Sequence, residues 1–456
     1  MTVTEALNEF FGAANGFLFG PVMLAVFVGT GVYMTLRTGG VQFRRIGTAF
    51  SECFGSILRK ASGAGDIMPY QALSAALSSC IGIGNIGGVS SAIALGGPGA
   101  VFWMWVSALL ALSVKFCEIY LSKSGAGAFG YVRFSLGEKA LRVFCLFGLL
   151  TAAGVGNVTQ SNAAAQSAAM LLSRAGVPEK NVLYITGICF SLLGFYLLRR
   201  RIAFRFCEKI LPLMAAGYII LCLAALFFAR RELPRVFCRI FHGAFDPAAV
   251  TGGAVGSVFL SVKAGTARGI FSNEAGLGVS ALAYEKSGGD AEEIALFGIF
   301  EVFIDTMVLC TLTALVVLSS GIRGYGADAG ALTALFAFRR LLGEKALFFF
   351  CPAIIIFAFS SLVGWGIYAV RFAETAGLFG AAVPFAYCAL SLYGAAGSAD
   401  TVWQIAEICT LFMMTVNFAA IFAGRKKIAA GKFRAGRAGR LTLRRFDYII
   451  KGKKNL

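Results

Sequence analysis

At 456 residues, 58% of them hydrophobic and 14% charged, with a mean hydropathy of +0.77, the chain is too apolar for a soluble globular protein. Its formal net charge of +18 sits in a few clusters between apolar runs, which argues for a membrane topology signal and against a nucleic-acid partner. The single histidine, His242, leaves no histidine-based catalysis or multi-histidine metal site. The twelve cysteines, scattered without a C-x-x-C pair, read as small packing residues.

The opening "MTVTEALNEFFGAANG" has no basic start and carries Glu5 and Glu9, so no cleavable signal peptide is expected. Apolar stretches then predict eleven membrane helices, at about 17–36, 70–95, 99–121, 142–172, 182–198, 209–229, 250–284 (interrupted), 292–320, 345–369, 379–395 and 401–423. Runs such as "VLCTLTALVVLSS" do not alternate, which excludes an outer-membrane barrel.

In the second span, "SSCIGIGNIGGVSS" contains Gly82-x-Gly84-x-x-Gly87, the bare pattern of a dinucleotide fingerprint. That fingerprint needs a preceding strand and an acidic partner about 20 residues on. Here "MPYQALSAALSSC" precedes it, a helical composition, and "FWMWVSALLAL" follows without an acid. Four glycines in seven residues with polar Asn85 among them instead predict a helix that unwinds around Cys80 to Asn85. Small-residue helix packing is the alternative; it accounts for Gly84 and Gly88, four apart, but not for the glycine density or Asn85.

The seventh span carries a second interruption, "TARGIFSNEAGLGVSALA", whose Arg268, Ser272, Asn273, Glu274, Gly276 and Gly278 are costly in hydrocarbon unless they face a cavity or partner. With the first helix set aside, the other ten divide into two sets of five, each starting with a broken helix. This is the pattern of an inverted-repeat transporter with its site where the repeats meet. The implied organisation is a transporter domain over 1–424 (extra helix 17–36, first repeat 70–229, second repeat 250–424) and a basic tail over 425–456. The clusters "RTGGVQFRRIG", "SILRKASG", "LLRRRIAFRFCEK" and the tail fall on one side, predicting an N-terminus outside and a cytoplasmic C-terminus. "ARRELPRVFCRIFHG" (229–243) is basic yet lands outside. The tail is expected either to touch anionic headgroups or to be solvated.

"GIGNIGGVSSAIALGGPGAVFWMWVSALLALSVKFCE" and "ARGIFSNEAGLG" resemble the signatures of the alanine/glycine:cation symporters, sodium:alanine transporters with the leucine-transporter-like fold. "GVGNVTQSN", "FIDTMVLCTLTALV", "FAFSSLVGW" and "VWQIAEICTLFM" extend the resemblance over about 17–424. It implies an all-α polytopic protein of the bacterial-type cell membrane, with one extra helix before a 5+5 inverted repeat. It further implies symport of a small neutral amino acid with Na⁺ as coupling ion, no other cofactor and no enzymatic activity. The implied substrate site draws on Gly82, Ile83, Gly84, Asn85, Gln160, Asn162, Phe271, Asn273, Gly276, Leu277 and Trp365. The implied sodium site combines carbonyls near Ser78 and Ile81 with the hydroxyls of Ser360 and Ser361. Five of these positions have an ordinary alternative: helix back-bonding for Ser360 and Ser361, interhelical bonding for Gln160 and Asn162, an interfacial belt for Trp365.

Physically, a half-helix start near Gly84 to Gly88 offers N–H groups and a positive dipole end to a carboxylate. A half-helix end near Cys80 and Ile81 offers carbonyls to an ammonium or a hard cation. Asp305 and Glu274 are expected as structural partners or gates. The chain departs from the family pattern at Ile83 (usually threonine), Tyr284 (usually histidine), Glu301 (usually glycine) and Lys263, and the last two suggest a Lys263–Glu301 ion pair. Proton coupling through Glu274, Asp305 or Glu407, with another small solute, is the competing transport reading. A channel is a further one.

Overall fold

The computed structural model describes residues 18–58, 67–124, 127–245, 256–322, 330–378, 382–397 and 400–430. These are helical throughout, apart from turns and an isolated bridge between Ile67 and Ser287. Helices satisfy their own backbone, which hydrocarbon demands. In chain order they are α1 (Met23–Arg37), α2 (Ile46–Leu58), α3 (Pro69–Cys80), α4 (Gly87–Gly96), α5 (Gly99–Lys123), α6 (Gly127–Thr151), α7 (Thr159–Leu172), α8 (Glu179–Arg199) and α9 (Ala203–Phe228). There follow α10 (Leu233–Phe245), α11 (Gly256–Asn273), α12 (Val279–Tyr284), α13 (Ala291–Val302), α14 (Thr311–Ser319), α15 (Gly330–Leu342), α16 (Leu347–Ala376), α17 (Ala382–Ala396) and α18 (Asp400–Ala423). π-helical turns at Ala152–Val158 and Phe303–Cys310 join α6 to α7 and α13 to α14.

Among the described residues eight helices are long and apolar enough to cross a bilayer, and the bent pair α3–α4, at 57°, makes a ninth. The expected count of eleven is not reached on this measure. The interrupted span is diluted by Lys263 and Arg268 in α11, and α17 has only 15 residues. The expected span at 142–172 also begins earlier, because helix resumes at Gly127 and bends at Gly137, whose φ of 86° is a left-handed turn.

The helices pack by counterpart: α4 on α11, α5 on α13, α7 on α16, α8 on α17. The two broken helices thus lie side by side, with α5 running along α11, while α6, α7, α8, α16 and α17 form a second layer beside them. α9 bridges α3 and α16, α18 lies along α6, and α1 leans on α5. The outlying basic segment at 229–243 becomes α10, which buries Val236, Ile240, Gly243 and Ala244. Its Arg239 donates to the Leu318 carbonyl at 2.9 Å, at the negative end of α14. A local cap therefore accounts for part of the basic charge there. The tail beyond residue 430, expected at lipid headgroups, lies outside the described residues.

Candidate functional site

The first break falls where the glycine density placed it. α3 ends at Cys80, Ile81 is extended (φ −76°, ψ 93°), Gly82 is extended in both angles, and a 3₁₀ turn over Ile83–Asn85 leads into α4. Its exposed donors are met by side chains: Gly82 N–H donates to Asn85 Oδ1 at 3.0 Å and Ile83 N–H to Gln160 Oε1 at 3.2 Å. Gly82 is needed for proximity, since a Cβ there would lie 3.0 Å from Gln160 Oε1 and from Ser361 Oγ.

The second break runs from Glu274 to Gly278, between α11 and α12. Glu274 (φ 55°), Gly276 (φ 94°) and Gly278 (φ 74°) all take the left-handed region, which is costly for glutamate and free for glycine. Glu274 is held there by its side chain. Trp365 Nε1 donates to its Oε1 at 2.7 Å, and the Ser79 hydroxyl lies 3.0 Å from its Oε2. One carboxylate thus ties the second break to the last turn of α3 and to α16. Asp305 ties the first break to the last turn of α11, accepting from Asn85 Nδ2 at 2.7 Å and from the Ser272 hydroxyl at 2.8 Å.

The last residues of α3 and α11 meet, the Cys80 thiol lying 3.7 Å from the Asn273 carbonyl, and a lysine sits on the α11 end. Lys115 of α5, fully buried, donates to the Asn273 carbonyl at 2.7 Å and pairs with Glu301 at 2.8 Å. Glu301 also accepts from the Ser280 hydroxyl at 2.8 Å, and the Cys80 thiol lies 3.2 Å from it. The expected Lys263–Glu301 pair is therefore corrected: Glu301 takes Lys115, and the Lys263 side chain packs against Gly20 in the π-helical turn Leu18–Val22. Lys115 was missed although "SVKFCE" carries two charges three residues apart inside a hydrophobic run, which is a functional signal by itself.

Of the other expected site residues, Gly82, Ile83, Gly84, Asn85, Gln160, Phe271, Asn273, Gly276, Leu277 and Trp365 are buried at or beside the two breaks. Asn162 is not brought there. It donates to the Gly394 and Gly397 carbonyls at 3.0 and 2.9 Å and so joins α7 to α17, the interhelical alternative. The serines divide. Ser361 reaches the break, donating to the Ser79 carbonyl at 2.9 Å. Ser360 bonds its own helix at Phe357 O, 3.0 Å, and faces Met214 Sδ. Ser78 and Ile81 are buried on α3 and at its end, and the Ser78 hydroxyl has the Cys207 thiol as its polar neighbour.

Two broken helices packed against each other, their termini tied by buried carboxylates and a lysine, define a secondary transporter of the leucine-transporter-like fold. Solved structures of that fold superpose on the chain. A manganese transporter of Eremococcus coleocola has a TM-score of 0.58 at 13% identity, covering 82% of this chain and 84% of that one. The transporter MhsT in complex with L-phenylalanine has a TM-score of 0.52 at 15% identity, covering 81% and 99%. The chain belongs to the sodium:alanine symporter family, which it matches over residues 4–432. Relatives include the sodium/alanine symporter AgcS of Methanococcus maripaludis (33% identical, 86% of this chain and 89% of that protein). The probable sodium/glutamine symporter GlnT of Bacillus subtilis is 29% identical over 92% and 88%. An uncharacterized transporter of Bacillus subtilis, YflA, is 33% identical over 91% of both. The chain is thus a multi-pass membrane transporter rather than an enzyme, and a carrier in the amino-acid symporter class.

Proposed function

We propose that the chain imports a small neutral amino acid, of alanine or glycine size, together with Na⁺ by alternating access. The observation that carries this reading is the meeting of the two breaks, where backbone N–H and carbonyl groups at the broken ends lie together and buried charged side chains tie those ends. The Ile83 N–H, bonded to a neutral amide oxygen of Gln160, is suited to a substrate carboxylate, a stronger acceptor of the same kind. Ile83, Phe271, Leu277 and Trp365, all buried at or beside the breaks, are suited to form apolar walls. Ser361, on the carbonyl end of α3, offers a hard oxygen beside backbone carbonyls, the ligand type Na⁺ prefers. Ser78 and Ile81 complete that set, and Ser360 would join it only by leaving Phe357 O. Relatives named for sodium with alanine or with glutamine support Na⁺ and leave the amino acid to this chain's own pocket.

Counterpart packing of the two five-helix sets supports an inverted repeat. The Lys and Arg clusters at 37–45 and 199–205 support a cytoplasmic C-terminus and an external N-terminus. Two ion pairs bracket the breaks: Arg268–Glu407 at 2.7 Å on the α11 side and Arg371–Glu285 at 2.5 Å on the α12 side. They are suited to be the outer and inner gates.

The test is uptake of labelled alanine and glycine into proteoliposomes with and without an inward Na⁺ gradient, then with Ser361→Ala. Uptake driven by Na⁺ in the wild type, with a raised Na⁺ requirement in the variant, is the expected result. Equal uptake without Na⁺, or uptake of neither amino acid, overturns the reading.

A further inference from the structure

One carboxylate beside the second break is left incomplete. Glu118, one turn beyond Lys115 on α5, is fully buried. Its Oε1 accepts the Gly278 N–H at 3.2 Å and Asn417 Nδ2 at 2.5 Å, while its Oε2 has no hydrogen-bond partner. Asn417 of α18 also donates to the Gly276 carbonyl at 2.8 Å, and its Oδ1 accepts from the Tyr131 hydroxyl. Glu118 and Asn417 therefore grip both left-handed glycines of the break, so any movement of α11 against α12 is felt at this carboxyl.

The titratable and charged groups around it are already engaged. On α5 itself Lys115 is bound to Glu301 and to the Asn273 carbonyl, and Cys117 is buried. The break contributes Glu274, bonded by Trp365 and Ser79, and α11 contributes Arg268, paired with Glu407. α12 contributes Tyr284, turned to Glu301, α13 contributes Glu301 itself, and α6 contributes Tyr131, spent on Asn417. α1 and α18 bring no charge to it: α18 presents the neutral Asn417, and Arg425, past its end, bonds the Phe422 carbonyl. Among the described residues no cation bonds Oε2: the nearby Lys115 ammonium is held by Glu301 and the Asn273 carbonyl. A bare carboxylate oxygen at this depth costs far more than a neutral carboxyl. The N–H donors of Gly278 and Asn417 occupy Oε1 alone and repel a metal cation, so Oε2 is the oxygen left to take a proton.

We propose that Glu118 is a proton-carrying site: it holds a proton on Oε2 in this conformation and releases it when the second break shifts and water reaches it. The step is a plain proton transfer, in which the O–H bond of the carboxyl breaks, its electron pair stays on the carboxylate, and H⁺ passes to water. On the symport reading above, on which this consequence rests, a proton would then accompany the amino acid as a second cation beside Na⁺.

The site is tested without transport by infrared difference spectroscopy of the purified full chain across pH, comparing wild type with Glu118→Gln. A protonated-carboxyl band present at neutral pH in the wild type and missing from the variant is expected. Identical spectra overturn the proposal, as does a band that Na⁺ alone removes. If Glu118→Gln does not fold, Glu118→Asp must shift the titration of the same band, and an unshifted band has the same overturning force. In proteoliposomes that show Na⁺-driven uptake, an acidic exterior should stimulate the wild type, and Glu118→Gln should lose that increment while keeping the Na⁺-driven part. Stimulation of both alike sinks the coupling. Absence of any alanine or glycine uptake would strike the transport reading alone, because the spectrum decides Glu118 separately.

Discussion

Lys115 is the residue on which the charge balance of the core turns. An ammonium buried this deeply survives because it has a carboxylate at 2.8 Å and, at 2.7 Å, the Asn273 carbonyl at the negative end of α11. Removing one member of such a pair strands the other in a medium that cannot solvate it. Lys115→Met should therefore destabilise the protein by about 3–5 kcal/mol, seen as a large fall in the thermal unfolding midpoint in detergent. The double variant Lys115→Met with Glu301→Leu should recover most of that loss, since two apolar side chains of similar volume replace the pair. Lack of recovery would mean that Lys115 acts chiefly through the Asn273 carbonyl and that Glu301 is incidental to it.

At the scale of elements, the two ion pairs that flank the second break differ in depth. Arg371–Glu285 has side chains 32% and 23% exposed, so solvent screens it and its worth is about 1 kcal/mol at most. A contact of that size does little for folding but shifts a two-state equilibrium by about fivefold. In a background with Cys189 and Cys238 changed to serine, Arg371→Gln should speed maleimide labelling of Cys207, which is buried on α9 beside α3, by several fold. An unchanged rate would remove the pair from gating. Both breaks were legible because their signal is local: glycines and polar residues concentrated in a few positions are unsuited to a lipid-facing helix. What was not legible depends on facing. Adjacent residues on a helix point about 100° apart, so Ser360 and Ser361 cannot both reach the first break, and it is Ser361 that does. Asn162 and Gln160, two apart on α7, are separated for the same reason, one turned to α17 and the other to Ile83. The partner of Glu301 likewise depended on which face of α5 is turned inward, and spacing within Glu301's own segment carries no record of that.

For the whole molecule, transport of the proposed kind needs one layer to rock against the other around a site at the repeat interface. The direction of import then depends on which end of the bundle faces the cytoplasm. The orientation can be read from the protein's own cysteines. Ten of the twelve are buried, Cys189 lies on the membrane helix α8, and Cys238 is exposed on amphipathic α10. If the Arg-rich connections after α1 and α8 are cytoplasmic, α10 lies outside, because α9 alone separates it from the second of these. A membrane-impermeant maleimide should then label Cys238 on intact cells, and Cys238→Ser should abolish the signal. A cysteine introduced at Lys453 in the tail should react only after the membrane is permeabilised. The reverse pattern would invert the molecule, exchange the outer and inner gate assignments, and turn the Arg268 pair toward the cytoplasm.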